Sequence, residues 1–337
     1  MANELSALCE VAGEAVDRLA LTPAESLHGA IANRVFKAVG PASTPARVIH
    51  DGISRLVYRG VRTATRSTAK ATGAVLRPLA DPKPLSGSRR GRHALGALNA
   101  ILGDELEGRQ SELAITMSIR QAAADVPADD LRTAFPAATG RVAVLLHGLA
   151  ETEEWWLRGT PPAFGERLQE DLGITPVYVR YNTGLHVSQN GARLARLLAE
   201  IDANWPTPIQ DLILIGHSMG GLVARSAVHL APPRHLRHLV TLGTPHTGAP
   251  LGDTPLLPGC THTFVTATVT RSRQHPLGWT LGDLLVRTQS ASGRHRSRRV
   301  PMADDAVVHI GGLTHFDLLD HPRVYEVLAA RLAAPPP

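Results

Sequence analysis

The stretch Asp211–Leu230, DLILIGHSMGGLVARSAVHL, decides how this 337-residue chain is read. Its first five residues form a short apolar run of the kind buried on both faces of a parallel sheet. Its second half places Leu222, Val223 and Val228 at helical spacing. Between them lies Gly216-His217-Ser218-Met219-Gly220-Gly221, so the pattern G-x-S-x-G falls on a strand-to-helix turn. The serine of such an elbow sits in a strained backbone conformation, and the glycines leave room for strand and helix to approach within the turn. Ser218 is therefore expected to hold its hydroxyl above the sheet as a nucleophile; an ordinary turn serine is the plainer alternative.

Outward from this turn, short apolar runs alternate with helical patterns: VAVLL (142–146), VYVRY (177–181), HLVTLG (238–243), TFVTATV (263–269) and AVVHI (306–310). That alternation is the signature of an α/β fold with a mostly parallel central sheet flanked by helices. LAITMSIR (113–120) puts Ile115, Met117 and Ile119 on one side and suits a half-buried strand that opens the sheet. Before it, amphipathic helical stretches are expected near 25–38, 45–70 and 94–107, interrupted by the linker ADPKPLSGS at 80–88. The expected division is a helical amino-terminal extension over 1–110, a catalytic domain over 111–333 and a frayed tail at 334–337.

Apolar residues make up 43% of the chain and charged residues 19%, which excludes a disordered or collagen-like protein. Two cysteines, Cys9 and Cys260, do not make a disulfide framework, so a reducing compartment is expected. The first residues carry acids in place of a basic leader, and no apolar run approaches the roughly 18 residues that span a bilayer. A cytoplasmic protein is expected, with peripheral membrane contact as an option. That option comes from charge. Between Arg34 and Arg92 thirteen Lys/Arg face two acids, a local +11 in a chain whose total is +5. Arg55, Arg59, Arg62, Arg66 and Lys70 recur along one side of a helix, beside an apolar stripe of Ile49, Ile53, Leu56, Val57 and Val61. A solvated basic face above a packed apolar face has this pattern, and so does a helix lying on an anionic membrane or an acidic partner. No zinc-finger spacing and no aromatic RNA-binding motif accompanies the charges, so nucleic acid is not an expected partner.

A nucleophilic serine needs oxyanion donors, a base and an acid that orients the base. The N–H of Met219 follows the nucleophile, and the N–H of Leu149, in His147-Gly148-Leu149 at the end of VAVLL, is the second expected donor. There the His147 backbone is used and not its imidazole. His315, in the loop GGLTHFDLL just past the strand AVVHI, is the expected base. Asp283 in LGDLLV gives the chain order Ser, Asp, His; Asp304 and Asp305, and less plausibly Asp253, are alternatives. Trp155 and Trp156 are expected to offer an apolar wall for substrate, with at most one of them facing a pocket. His217 and His246 are expected to line the mouth, and Glu151, Glu153 and Glu154 to be solvated loop carboxylates.

The motifs LLHGLAET, GHSMGG, GTPHTGAP, GDLLV and GLTHFDLL resemble the α/β-hydrolase superfamily in its serine lipase/esterase branch, over about residues 140–330. The likeness is to bacterial lipase-like hydrolases and the GPI inositol-deacylase-like group. It implies ester hydrolysis through an acyl-enzyme on Ser218, with His315 and Asp283 completing a triad, the Leu149 and Met219 amides forming the oxyanion hole, and no metal or organic cofactor. Only the 16 residues Thr247–His262 separate the GTPH element from the next strand, too few for the helical cap that many relatives insert there. The expected substrate is a carboxylic ester, small-molecule or lipid, with a moderately apolar acyl group. An acyltransferase or thioesterase on the same triad, and a catalytically silent scaffold that binds through the basic helix, are the alternatives.

Overall fold

The apolar runs assemble into one sheet. A computed structural model describes residues 4–39, 44–76, 85–159, 161–246, 256–271, 283, 285–286, 288–291 and 306–333. Its strands are β1 (Ser118–Gln121), β2 (Ala124–Val126), β3 (Arg141–Leu146), β4 (Thr175–Arg180), β5 (Asp211–His217), β6 (Leu236–Leu242), β7 (Thr261–Thr268) and β8 (Val307–Gly311). They pair in the order β2-β1-β4-β3-β5-β6-β7-β8. β1 runs antiparallel to both neighbours, and every pairing from β4 to β8 is parallel. The chain divides into two compact units, Met1–Ala114 and Ile115–Pro337.

In the second unit each continuous apolar strand serves two cores, because successive side chains point to opposite faces. Val142, Val144 and Leu146 of β3 join Leu212 and Leu214 of β5 and Leu131 of the short α5 (Leu131–Ala134) beneath α7 (Val187–Asn204) and α8 (Met219–Leu230). The alternate residues Ala143, Leu145, Ile213 and Ile215 pack with Phe164 and Leu168 of α6 (Phe164–Leu172) and with Val324, Leu328 and Leu332 near the carboxyl end. This double burial leaves the carboxyl ends of the parallel strands as the place where loops converge, the position ligands take in open α/β sheets.

The sheet opens differently from its sequence. Residues 113–117 are not a strand; β1 starts at Ser118 and returns through a two-residue turn as β2. That turn is Ala122-Ala123, with φ of 48° and 65°, so it carries none of the Gly or Asn that normally announces a primed turn. Arg120 holds the hairpin by donating to the Ala123 carbonyl and to Asp125.

The first unit is helical: α1 (Glu4–Val16), a π-helical turn Asp17–Leu21, α2 (Thr22–Val39), α3 (Thr44–Leu76) and α4 (Arg89–Gly108). Ser88 caps α4 by accepting from the Gly91 N–H at 3.0 Å. The basic side of α3 is not the solvated row its spacing suggests. Arg62 donates to Asp17 at 2.7 Å and to Glu25 at 2.6 Å, and Arg66 donates to Asp17 at 2.9 Å. The Arg62 guanidinium in particular holds the Asp17 carboxyl below its usual range. Conversely, the apolar stripe is not packed: Ile49, Ile53, Leu56 and Val57 are more than half exposed. Arg55 and Arg59 are exposed, while the Lys70 side chain and the tail 334–337 lie outside the described residues. Among the described residues no helix is long and apolar enough to cross a membrane.

Candidate active site

Ser218 stands between β5 and α8 with φ 50° and ψ −119°, a conformation that a non-glycine residue adopts only when its surroundings impose it. They do so by crowding: a Cβ on Gly216 would lie 2.4 Å from the Gly221 nitrogen, and one on Gly220 would lie 2.5 Å from the Leu146 carbonyl oxygen. The Ser218 N–H donates to the Leu242 carbonyl at 2.8 Å, which ties the elbow to β6. Its hydroxyl does not cap α8, leaving Oγ half-buried at the positive end of a 12-residue helix.

His315 follows β8 and is buried; its Nδ1 lies 2.7 Å from Asp283 Oδ2. The His315 N–H also donates to the Asp283 carbonyl at 2.9 Å, so backbone and side chain dock together. Asp283 Oδ1 accepts from the N–H groups of Leu285 at 3.1 Å and Val286 at 2.7 Å. With Nδ1–H directed at a carboxylate, Nε2 is the nitrogen left to take a proton. No hydrogen bond joins the Ser218 hydroxyl to His315 among the described residues. Asp253, Asp304 and Asp305, the other acids weighed for this place, lie outside those residues, as do Thr247–Pro250 of GTPHTGAP.

The loop after β3 carries the two expected oxyanion donors' neighbourhood. A Cβ on Gly148 would sit 3.0 Å from Ser218 Cβ, which measures how near this loop comes to the elbow. Ala150 has φ 62°, and its N–H donates to Thr183 Oγ1 at 3.2 Å. The N–H groups of Leu149 and Met219 make no hydrogen bond among the described residues. His147 is satisfied within the fold: Nδ1 donates to the Gly148 carbonyl at 3.0 Å and Nε2 accepts from the Tyr181 N–H at 3.2 Å. Burial lowers its proton affinity and keeps it neutral.

Several expected lining residues are elsewhere. His217 is fully buried and does not face substrate. Its Nδ1 lies 3.0 Å from Glu151 Oε2, and its Nε2 donates to the His315 carbonyl at 3.2 Å. Glu151 Oε2 also accepts from the Gly148 N–H at 2.6 Å. A carbonyl only accepts, so Nε2 is the donor in its contact with His315. The pair thus joins three loops: the one bearing Leu149, the elbow and the one bearing His315. Burial alone raises the Glu151 carboxyl, but His217 and the Gly148 N–H outweigh it and hold it below its ordinary range. Spacing gives no hint of this link, which spans 66 residues.

Glu153 is also enclosed, so neither it nor Glu151 is a solvated loop carboxylate, and Glu154 is buried as well. Glu153 accepts from Arg180 Nε at 2.6 Å and Arg120 Nε at 3.1 Å, and Arg180 reaches both of its oxygens. Trp156 is completely buried in the core, which removes it as a pocket wall. Trp155 is half-buried, with its ring 5.1 Å from that of Phe316 and the Arg158 guanidinium 4.7 Å above it. His246 lies inside the unit: Nδ1 accepts from Arg225 at 3.1 Å and Nε2 faces Thr241 Oγ1 at 3.1 Å. Burial and then Arg225 keep it neutral.

A cavity of about 590 Å³ opens beside β1 and β4, bordered by Phe135, Leu157, Gln169 and Tyr178; Ser218, Asp283 and His315 do not line it. The candidate site is the chemistry at the strand ends, not this hollow. Among the described residues no three His, Cys, Asp or Glu side chains gather as a metal ion would need.

A family model described as the PGAP1-like alpha/beta domain matches residues 183–267, a stretch that contains the elbow. Similar solved structures include the Bacillus licheniformis lipase BlEst2 in mature form, at 19% identity over 58% of this chain and 92% of that one, with a TM-score of 0.42. The product of the gene lin2722 from Listeria innocua is 13% identical over 56% and 92%, with a TM-score of 0.42. MGS-MChE2, an alpha/beta hydrolase enzyme from the metagenome of sediments of the lagoon of Mar Chica, Morocco, is 15% identical over 58% and 90%, with a TM-score of 0.40. The matched segment spans the elbow, and the sheet order described above is that of an α/β fold whose strands from β4 to β8 are all parallel.

Proposed function

We propose that the chain is a serine ester hydrolase acting through an acyl-enzyme on Ser218. The observation that carries this reading is the 2.7 Å contact between Asp283 and His315 Nδ1, on a loop tied by the His315 carbonyl to His217, the residue before Ser218. In the proposed reaction His315 Nε2 takes the Ser218 hydroxyl proton as Oγ bonds to the ester carbonyl carbon. The carbonyl oxygen becomes an oxyanion between the N–H groups of Leu149 and Met219, neither of which makes a hydrogen bond among the described residues. Collapse of this adduct breaks the bond to the alcohol, which leaves with the proton from Nε2. Water then repeats the sequence, releasing the acid and restoring Ser218. The hydrogen bond from Oγ to Nε2 forms as substrate enters, as apo catalytic contacts commonly tighten in the bound state.

The substrate is a carboxylic ester with a moderately apolar acyl group, and Trp155 with Phe316, the residue after His315, supplies apolar surface there. A panel of p-nitrophenyl esters of rising chain length tests this, together with labelling by an organophosphonate. Ser218→Ala is expected to abolish labelling and to lower turnover by several orders of magnitude. His315→Ala should lower it comparably, and the double variant should be no worse than either, because the two act as one unit. Full turnover in either single variant sinks the proposal.

A further inference from the structure

We propose that the outward side of α3 docks on an anionic lipid bilayer, with the helix lying in the plane of the membrane surface. The amphipathy of α3 is inverted relative to its packing. His50, Ser54, Tyr58, Arg62, Thr65 and Ala69, a helical row at steps of three and four, are the residues turned toward the rest of the helical unit. The side next to that row carries branched aliphatics: Ile49 is 64% exposed, Ile53 58%, Leu56 72%, Val57 54% and Val61 42%. At about 100° per residue these five, with Gly60 and Ala64 between them, cover a sector of about 140°. Polar side chains make the internal contacts and aliphatic ones meet solvent, which is the arrangement of a helix that uses its apolar face on something else.

Charge identifies that partner. α3 carries Arg47, Arg55, Arg59, Arg62, Arg66 and Lys70 against the single acid Asp51. Arg62 and Arg66 are engaged by Asp17, so among the described residues the exposed cation that flanks the apolar sector is Arg59, about 60° beyond Leu56, while Arg55, also exposed, lies about 100° beyond it. Arg55 Nε donates to the Asp51 carbonyl one turn back, which lays its stem along the helix. Long arginine stems beside an apolar sector place guanidinium groups at phosphate level while the aliphatic residues enter the acyl boundary. A two-fold antiparallel pairing with a second copy would set the Arg59 edge against its own image, a like-charge contact; lipid phosphate has the opposite sign. The polar inner side and the absence among the described residues of any membrane-spanning helix fit a helix that lies on a bilayer and does not cross it. Nothing in this argument depends on the ester chemistry.

The test uses the full chain in co-sedimentation with phosphatidylcholine vesicles, with and without phosphatidylserine. The wild type should bind the phosphatidylserine vesicles and bind neutral ones far less. A stripe variant combining Ile53→Ser, Leu56→Ser and Val57→Ser, and a charge variant combining Arg55→Glu and Arg59→Glu, should each bind about tenfold more weakly or worse. All five positions are exposed, so circular dichroism and turnover of a soluble short ester should match wild type in both variants. Absence of wild-type binding to phosphatidylserine vesicles at low salt overturns the proposal. So does a stripe variant that binds like wild type, and so does a solution dimer that the stripe variant dissolves, which would assign the face to self-association.

Discussion

Both oxygens of Asp283 are engaged, one by two backbone N–H groups and the other by the imidazole of His315. Asp283→Asn keeps the size but offers one acceptor in place of two, so the imidazole settles in the wrong tautomer. We expect turnover of a soluble ester to fall by about 10⁴ with a smaller change in KM, read by steady-state kinetics. Glu151 acts one step further out, as a positioning residue. Its folded carboxyl lies below its ordinary value of 4.5, so its stabilisation is present at neutral pH and disappears as pH falls through the lower folded value. Glu151→Gln should therefore be less stable than wild type at pH 7, with the gap narrowing on acidification, as urea titrations at both pH values will measure. Its kcat should drop while organophosphonate labelling of Ser218 persists at a reduced rate. The sequence anticipated the strand-to-helix turn that holds Ser218 and, through chain order, the contact between Asp283 and His315, the three residues of the proposed triad. Glu151 and His217 were not read as partners, because only the folded sheet brings position 151 to position 217.

At the scale of elements, Glu153 fastens the segment after β3 to both β1 and β4 through Arg120 and Arg180. Burial by itself raises its carboxyl; the two arginines, Arg180 first, bring it below the usual range. Removing one cation leaves a buried charge partly uncompensated, so Arg180→Met should cost about 3–5 kcal/mol in urea unfolding, while Glu153 replaced together with both arginines by apolar residues should cost less. The parallel strands were readable because each is a continuous apolar run. The β1–β2 hairpin was not, since two alanines at positive φ leave no turn signature. Nothing local in EEWW shows that its first two acids are buried, because the arginines that neutralise Glu153 stand 27 and 33 residues away.

At the scale of the whole molecule, every member of the two apolar cores lies between Ile119 and Leu332. The helical unit has its own polar scaffold, with Arg109 joined to Glu14 and Glu105, and Arg18 to Asp104 and Glu105. A chain that starts at Ile115 is expected to retain its sheet by circular dichroism and to react with an organophosphonate at Ser218. Failure to fold would show that the cores are insufficient alone. The sequence displayed the amphipathy of α3 but not which side turns inward, because that choice is made by Asp17 and Glu25, the carboxylates that draw Arg62 in. One arrangement described above also equips the molecule with an optical reporter. Trp156 is sealed in the core and Trp205 donates to the Thr139 carbonyl, whereas Trp155 rests against Phe316, the residue after His315, under a guanidinium. Emission should change in colour and intensity when an acyl chain arrives and should lose that response in Trp155→Phe, which separates this indole from Trp279, a tryptophan outside the described residues, and lets occupancy be followed in real time on unlabelled protein.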